Sequence, residues 1–272
     1  MKTYTYIFLF FLLCLSLPSC SYKKIDTNND ATNNQNELFL DKKKNISKIF
    51  YIGLGMWGNG ETWSEKDVID LEKVFRKIYH NRNFYSYIFS NKGVPSSSQY
   101  PYFSEKKLRQ QIKEISDSAS IDDIVIVVIS SHGFPEGISF RVGMLKSKVI
   151  TGREITEIFA PLNNKNSFFV ISSCYSGSLI DDLAGSLKVI LTASSAKKPS
   201  FGCEKNSPNS WFIEALKESH NILNREHIRF SIKKWFSKTK EIVKNKEESY
   251  GYPQSLPQIY IGENINPFVF LL

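Results

Sequence analysis

From Lys48 onward, short and continuously apolar runs alternate with stretches whose apolar residues recur every three or four positions. "KIFYIGLG" is followed by Val68, Leu71, Val74, Phe75 and Ile78, and "FYSYIF" by Leu108, Ile112 and Ile115, the spacing of one helix face. "DIVIVVIS" lacks the polar alternation of a half-exposed strand, which predicts a central strand covered on both sides. "SFFVISS" and "LKVILTAS" predict two further buried strands, "GISFRVGMLKSKVITG" a small hairpin and "REITEIF" a short helix. Two amphipathic helices follow, one carrying Trp211, Phe212, Ala215 and Leu216, the next Ile228, Ile232, Trp235 and Phe236, and "PQIYIG" closes the series as a strand. Strand and helix in alternation predict an α/β domain over residues 48–272, with about six mainly parallel strands and helices on both faces.

Before Lys48 the pattern changes. Lys2 precedes "YIFLFFLLCLSLP", an apolar run shorter than the roughly 20 residues of a membrane-spanning helix, so residues 1–19 read as a signal peptide. The run ends in Leu17-Pro18-Ser19-Cys20, which resembles a bacterial lipobox with lipid on the Cys20 sulfur. A plain secretory signal or an uncleaved anchor shares the same apolar core, and both stay open. Residues 20–47 are rich in Asn, Lys and Asp and lack apolar periodicity, as a flexible tether does, with a reach on the order of 30 Å. The expected place is the periplasmic or extracellular side of a bacterial envelope, with the domain held at a membrane by its N-terminal lipid.

Charge and composition narrow the picture only a little. A chain of 272 residues, 42% hydrophobic, suits one large domain. The net charge of +8 comes from basic residues spread along the chain rather than clustered, so no nucleic-acid partner is expected. Gly53-x-Gly55-x-x-Gly58 after the first apolar run has the outline of a dinucleotide loop. The helix after it is expected to open only at "SEKD", where Ser64 and Asp67 resemble a capping box, and no acid ends the second strand. The glycines therefore read as a flexible loop at a strand end rather than a phosphate cradle.

The candidate chemistry lies at the ends of two buried strands. "DIVIVVISSHGFPEG" places His132 just past one strand and "SFFVISSCYSGS" places Cys174 just past the next. Neighbouring parallel strands lie about 4.8 Å apart, so groups leaving their C-terminal ends meet across one crevice. A thiolate nucleophile, an imidazole acid/base and backbone N–H donors from Gly133 and Cys174 make a set suited to acyl transfer. "SGS" after Cys174 allows a turn into a helix start, whose dipole favours a thiolate. His80, His220 and His227 have no neighbouring ligand set and read as structural or surface residues; neither a metal nor a cofactor is expected. "SCYSG" lacks the leading glycine of a serine-hydrolase elbow. Cys203 leaves a second outcome open: a Cys174–Cys203 disulfide would make the chain a silent or redox-gated binding lipoprotein.

These blocks resemble those of the legumain-type cysteine peptidases, bacterial branch, of the clan that includes caspases and gingipains: "VVISSHGFPEG", "FFVISSCYSGS" and "LTASSAKKPSFGC". The resemblance spans roughly residues 48–262. It implies a caspase-like three-layer α/β/α sandwich and a cysteine endopeptidase acting on peptide or protein substrates. Cys174 would be its nucleophile, His132 its general acid/base, and Gly133 and Cys174 its oxyanion donors. By the same resemblance Ser200 and Glu214 fall at a substrate pocket that leans toward acceptors, narrowed by Tyr175, Trp57 and Trp63, with the glycine loop as a wall. The family's Arg-His pair in that loop is replaced by "GMWGNGETWSEKD", and its glutamate after the nucleophile by Tyr175.

Overall fold

The computed structural model describes residues 48–58, 61–91, 100–141, 147–226 and 231–265, all within one compact unit, Phe39–Leu272. The readings of residues 1–47 as signal peptide, lipidation site and tether lie outside the described residues, as do Ile228 and His227. Among the described residues no helix is long and apolar enough to cross a membrane.

Six strands form the main sheet: β1 (Lys48–Gly55), β2 (Asn83–Ser90), β3 (Ile124–Ser130), β7 (Asn166–Ser172), β8 (Lys188–Thr192) and β9 (Gln258–Ile261). Their order is β2-β1-β3-β7-β8-β9, parallel except for β9, which runs antiparallel at one edge. Every residue of β3 and β7 is buried, as expected of central strands, whereas the first half of β2 at the other edge is partly exposed. A second sheet holds β4 (Gly133–Phe134), β5 (Gly137–Phe140) and β6 (Lys148–Thr151) in that order, so the expected hairpin is three-stranded and begins directly after His132.

The period-2 alternation of the strands sorts the helices into two layers. Ile124, Ile126, Val128, Phe168 and Val170 share one core with α1 (Trp63–Ile78), α5 (Trp211–Arg225) and α6 (Ile232–Ser249). Val125, Val127, Ile129, Phe169 and Ile171 share the other with α2 (Glu105–Ser118), α3 (Gly152–Phe159) and the four-residue α4 (Ile180–Leu183). The result is a three-layer α/β/α sandwich with a six-stranded, mainly parallel sheet, the architecture expected.

Two readings near β1 are corrected. Gly53 and Gly55 lie within the strand, not in a loop, and their role is close packing. A Cβ on Gly55 would lie 3.0 Å from both the Glu65 Cα and the Ser64 carbonyl oxygen, so the bare backbone lets the start of α1 rest on the strand. The helix also begins one residue earlier than "SEKD", at Trp63, with no side-chain cap. Ser64 donates to the Trp57 carbonyl and Asp67 is fully buried against the sheet, because both are claimed by tertiary partners. Gly55→Ala is therefore expected to destabilise the fold by roughly 1–3 kcal/mol through overpacking of backbone on backbone. The shift of the denaturant midpoint measures this; an unchanged midpoint would mean that α1 gives way freely.

Candidate active site

The C-terminal ends of four strands form one row. Ser90 of β2 is in register with Gly55, Gly55 with Ser130, and Ser130 with Ser172. Helix α1 lies over this row and supplies two carboxylates to it: Glu65 accepts from the Ser90 hydroxyl, and Asp67 from that of Ser130 at 2.7 Å. Asp67 also accepts from the Ser210 hydroxyl at 2.7 Å and the Ser210 N–H at 2.9 Å. Because the one Ser210 hydroxyl proton is spent on Asp67, the 2.7 Å contact between the Ser172 and Ser210 hydroxyls is donated by Ser172. One buried carboxylate thus joins the ends of β3 and β7 to the start of α5. Burial pushes its carboxyl up to about 7, against the opposing pull of these hydrogen bonds.

Two residues beyond this row stand His132 and Cys174, at the ends of registered neighbours as expected. The next residues press together: a Cβ on Gly133 would overlap the Cys174 carbonyl oxygen and come within 3.0 Å of Ser173. Glycine is required there by that close approach. The Ser131 hydroxyl donates to the Ser139 carbonyl, and the Ser139 N–H to the His132 carbonyl at 2.8 Å, tying the histidine turn to β5.

Cys174 and Cys203 are both free thiols, so the disulfide that their count allowed is not formed. The Cys174 sulfur accepts from the Ser200 N–H at 3.3 Å and meets the Ser200 carbonyl at 3.4 Å and its hydroxyl at 3.8 Å. The Tyr175 N–H donates to the Lys198 carbonyl at 2.9 Å, and Tyr175 is held at φ 57°, the left-handed turn that redirects the chain. The chain then passes through a four-residue 3-10 turn, Ser176–Leu179, into α4, so no long helix dipole is aimed at the sulfur. Burial, with the neighbouring Cys174 sulfur and the Glu204 carboxylate adding to it, pushes the Cys203 thiol up to about 12; Cys203 is a protonated thiol at neutral pH and a slow partner for exchange.

His132 sits in an aromatic seat. Trp57 and Trp63 approach its ring edge-on, with centroids at 4.5 and 5.2 Å and interplanar angles of 89° and 71°. Its Nε2 lies 3.7 Å from Glu61 Oε2, and that oxygen also accepts from the Trp63 indole N–H at 2.8 Å. Burial holds the His132 pKa below the ordinary value, and the Glu61 carboxylate works against it. Glu61 is not among the residues that the sequence singles out: a lone acid in a loop carries no periodic or spacing signal.

Of the expected pocket residues, the structure brings Ser200 to the Cys174 sulfur and Trp57 to His132. Glu214 is paired with Lys246 of α6, whose ammonium also lies 5.2 Å from the Trp211 ring. Among the described residues, no three His, Cys, Asp or Glu side chains gather as a metal site would need.

Residues 93–267, well over half of the chain, match the peptidase C13 family. The chain belongs to that family. It is the legumain family to which the histidine and cysteine blocks point, and it makes this protein a cysteine peptidase with protein substrates. A crystal structure of caspase-1 from Spodoptera frugiperda is similar at a TM-score of 0.50 and 14% identity, covering 79% of this chain and 86% of that one. At that identity the likeness speaks for the caspase-like fold alone. No curated protein matches the chain. The family match begins after β1, α1 and β2, so Trp57, Glu61, Trp63 and Asp67 all lie outside it.

Asp67 gives a pH signature. Its folded-state pKa is raised from 3.8 to about 7, so the native state binds this proton more tightly than the unfolded chain. The stability associated with it is full below about pH 4 and falls as pH rises through 7, by up to a few kcal/mol at about 1.4 kcal/mol per unit. Asp67→Asn is expected to flatten the stability curve between pH 4 and 7 in denaturant titrations. A slope equal to that of the parent would show that Asp67 does not titrate in this range.

Proposed function

We propose that the protein is a cysteine endopeptidase tethered through Cys20 to a bacterial membrane, with Cys174 as nucleophile and His132 as general acid/base. The observation that carries this reading is the registered pair of strand ends, β3 and β7, with Gly133 packed on the backbone of Cys174. In the first step the thiol proton passes to His132 as the sulfur bonds to the scissile carbonyl carbon. The carbonyl electrons move to oxygen, where the N–H groups of Gly133 and Cys174 act as donors. The C–N bond then breaks as the imidazolium protonates the departing amine. Water hydrolyses the thioester, with His132 as base, and returns the thiol.

A half-buried histidine whose burial favours the neutral form suits the base role near neutral pH. The hydrogen bonds between Ser200 and the Cys174 sulfur fix the nucleophile beside a segment that supports the pocket reading for Ser200, while Tyr175 and Trp57 flank the two reactive groups. The tether and lipid are read from the N-terminal sequence, whose apolar run and Cys20 support an exported, membrane-held domain.

Cys174→Ala is expected to abolish hydrolysis of fluorogenic peptides and labelling by a thiol-directed acyloxymethyl ketone, with the melting transition retained. His132→Ala is expected to cost at least about 10²-fold in kcat. Undiminished cleavage by purified Cys174→Ala would sink the mechanism, and a parent protein that takes up no probe under reducing conditions would point to a silent binding protein. Cys20→Ala should move the protein from the membrane to the soluble fraction; unchanged fractionation would mean an uncleaved anchor.

A further inference from the structure

The two-residue reading leaves a carboxylate unaccounted for. Glu61 is only 18% exposed, and among the described residues no lysine or arginine pairs with it. Its Oε2 lies between the Trp63 indole N–H and the His132 imidazole. Its position is not accidental to a floppy loop: the indole that donates to it belongs to Trp63, which is 1% exposed and opens α1. The same indole contacts the His132 ring, so Trp63 sets both groups at once.

We propose that Glu61 is the positioning residue of His132: its carboxylate receives the Nε2 proton and so leaves Nδ1 as the basic nitrogen for the thiol proton of Cys174. The inference deepens the peptidase reading and rests on it. A neutral imidazole carries one N–H, and the nitrogen beside an anion is the one that keeps it. The 3.7 Å separation is longer than a hydrogen bond, and such contacts tighten when a substrate shuts out water. Once His132 takes the thiol proton, both nitrogens carry hydrogen and the adjacent carboxylate stabilises the cation. Trp57 and Trp63 leave the ring little freedom to turn. Among the described residues, the other titratable or charged groups near it are the Cys174 thiol, the Cys203 thiol and Glu204 from the loop before α5, and Arg141, whose guanidinium lies 5.6 Å from the Trp57 ring. Of these, Glu61 is the carboxylate that meets the imidazole, at 3.7 Å.

The test is histidine-labelled NMR on the full chain, with the His132 signals assigned by their loss in His132→Ala. The parent is expected to show the Nε2–H tautomer, and Glu61→Gln a His132 titration moved to lower pH. The pH dependence of Cys174 alkylation by iodoacetamide, read by peptide mapping, should move with it. Peptidase kcat in Glu61→Gln is expected to fall roughly 10-fold, less than loss of the base itself, with KM little changed and Glu61→Asp partly restoring the rate. An unchanged tautomer and titration in Glu61→Gln overturns the proposal. So does a loss confined to KM for peptides with Lys or Arg before the cleaved bond, which would make Glu61 a specificity group. The NMR and alkylation arms need no turnover, so a protein that hydrolyses nothing would defeat the peptidase reading while still deciding whether Glu61 governs His132.

Discussion

The arrangement of the reactive groups depends on the pairing of Ser130 with Ser172 across the two central strands. Parallel strands in fixed register emerge level with one another, so His132 and Cys174, each two residues further on, start from equal height above the sheet. A slip of one residue would send one of the two side chains to the opposite face. The apolar strands could not by themselves choose among registers as firmly as this, because Val, Ile and Phe tolerate exchange of neighbours. The polar row does choose. Ser130, Ser172 and Ser210 each have one hydroxyl to satisfy in a buried setting, and they close on Asp67 in a single arrangement. Such a buried carboxylate is a poor source of stability and a good source of uniqueness.

Much of this is legible in the sequence, and the reasons differ by feature. The runs in β3 and β7 are continuous enough to mark buried strands, and reactive residues at their ends stand out because the residue types suit one chemistry. The glycines of β1 mislead because Gly-x-Gly spacing looks the same in a loop and in a strand that needs a bare surface; only the helix lying above distinguishes them. Ser64 and Asp67 have the spacing of a cap, yet tertiary partners outcompete the local hydrogen bond. The turn after Cys174 is expected from its small residues, but not its shape, since a tyrosine at positive φ has no sequence signature.

The surroundings of His132 come from the part of the chain that the family match does not include. Two indoles exclude water from the imidazole and press it toward neutrality, while a carboxylate restores some of its basicity. The basicity of this imidazole is set by balance between two opposed effects, and small changes in the loop between β1 and α1 move the balance without touching His132 or Cys174. The segment most divergent from the legumain-type pattern is therefore also the one best placed to adjust the reaction.

The sheet order has a consequence for how the chain comes to life. The ends of β3 and β7 are fastened by Asp67, near the beginning of the domain, to Ser210, about where its last third begins, across a separation of 143 residues. Contacts so distant along the chain form late, because the intervening loop must close before they return any free energy. A partly made or partly folded molecule holds the thiol and the imidazole but not their alignment. Until the last third of the domain has docked, the link from Asp67 to the two strand ends is incomplete.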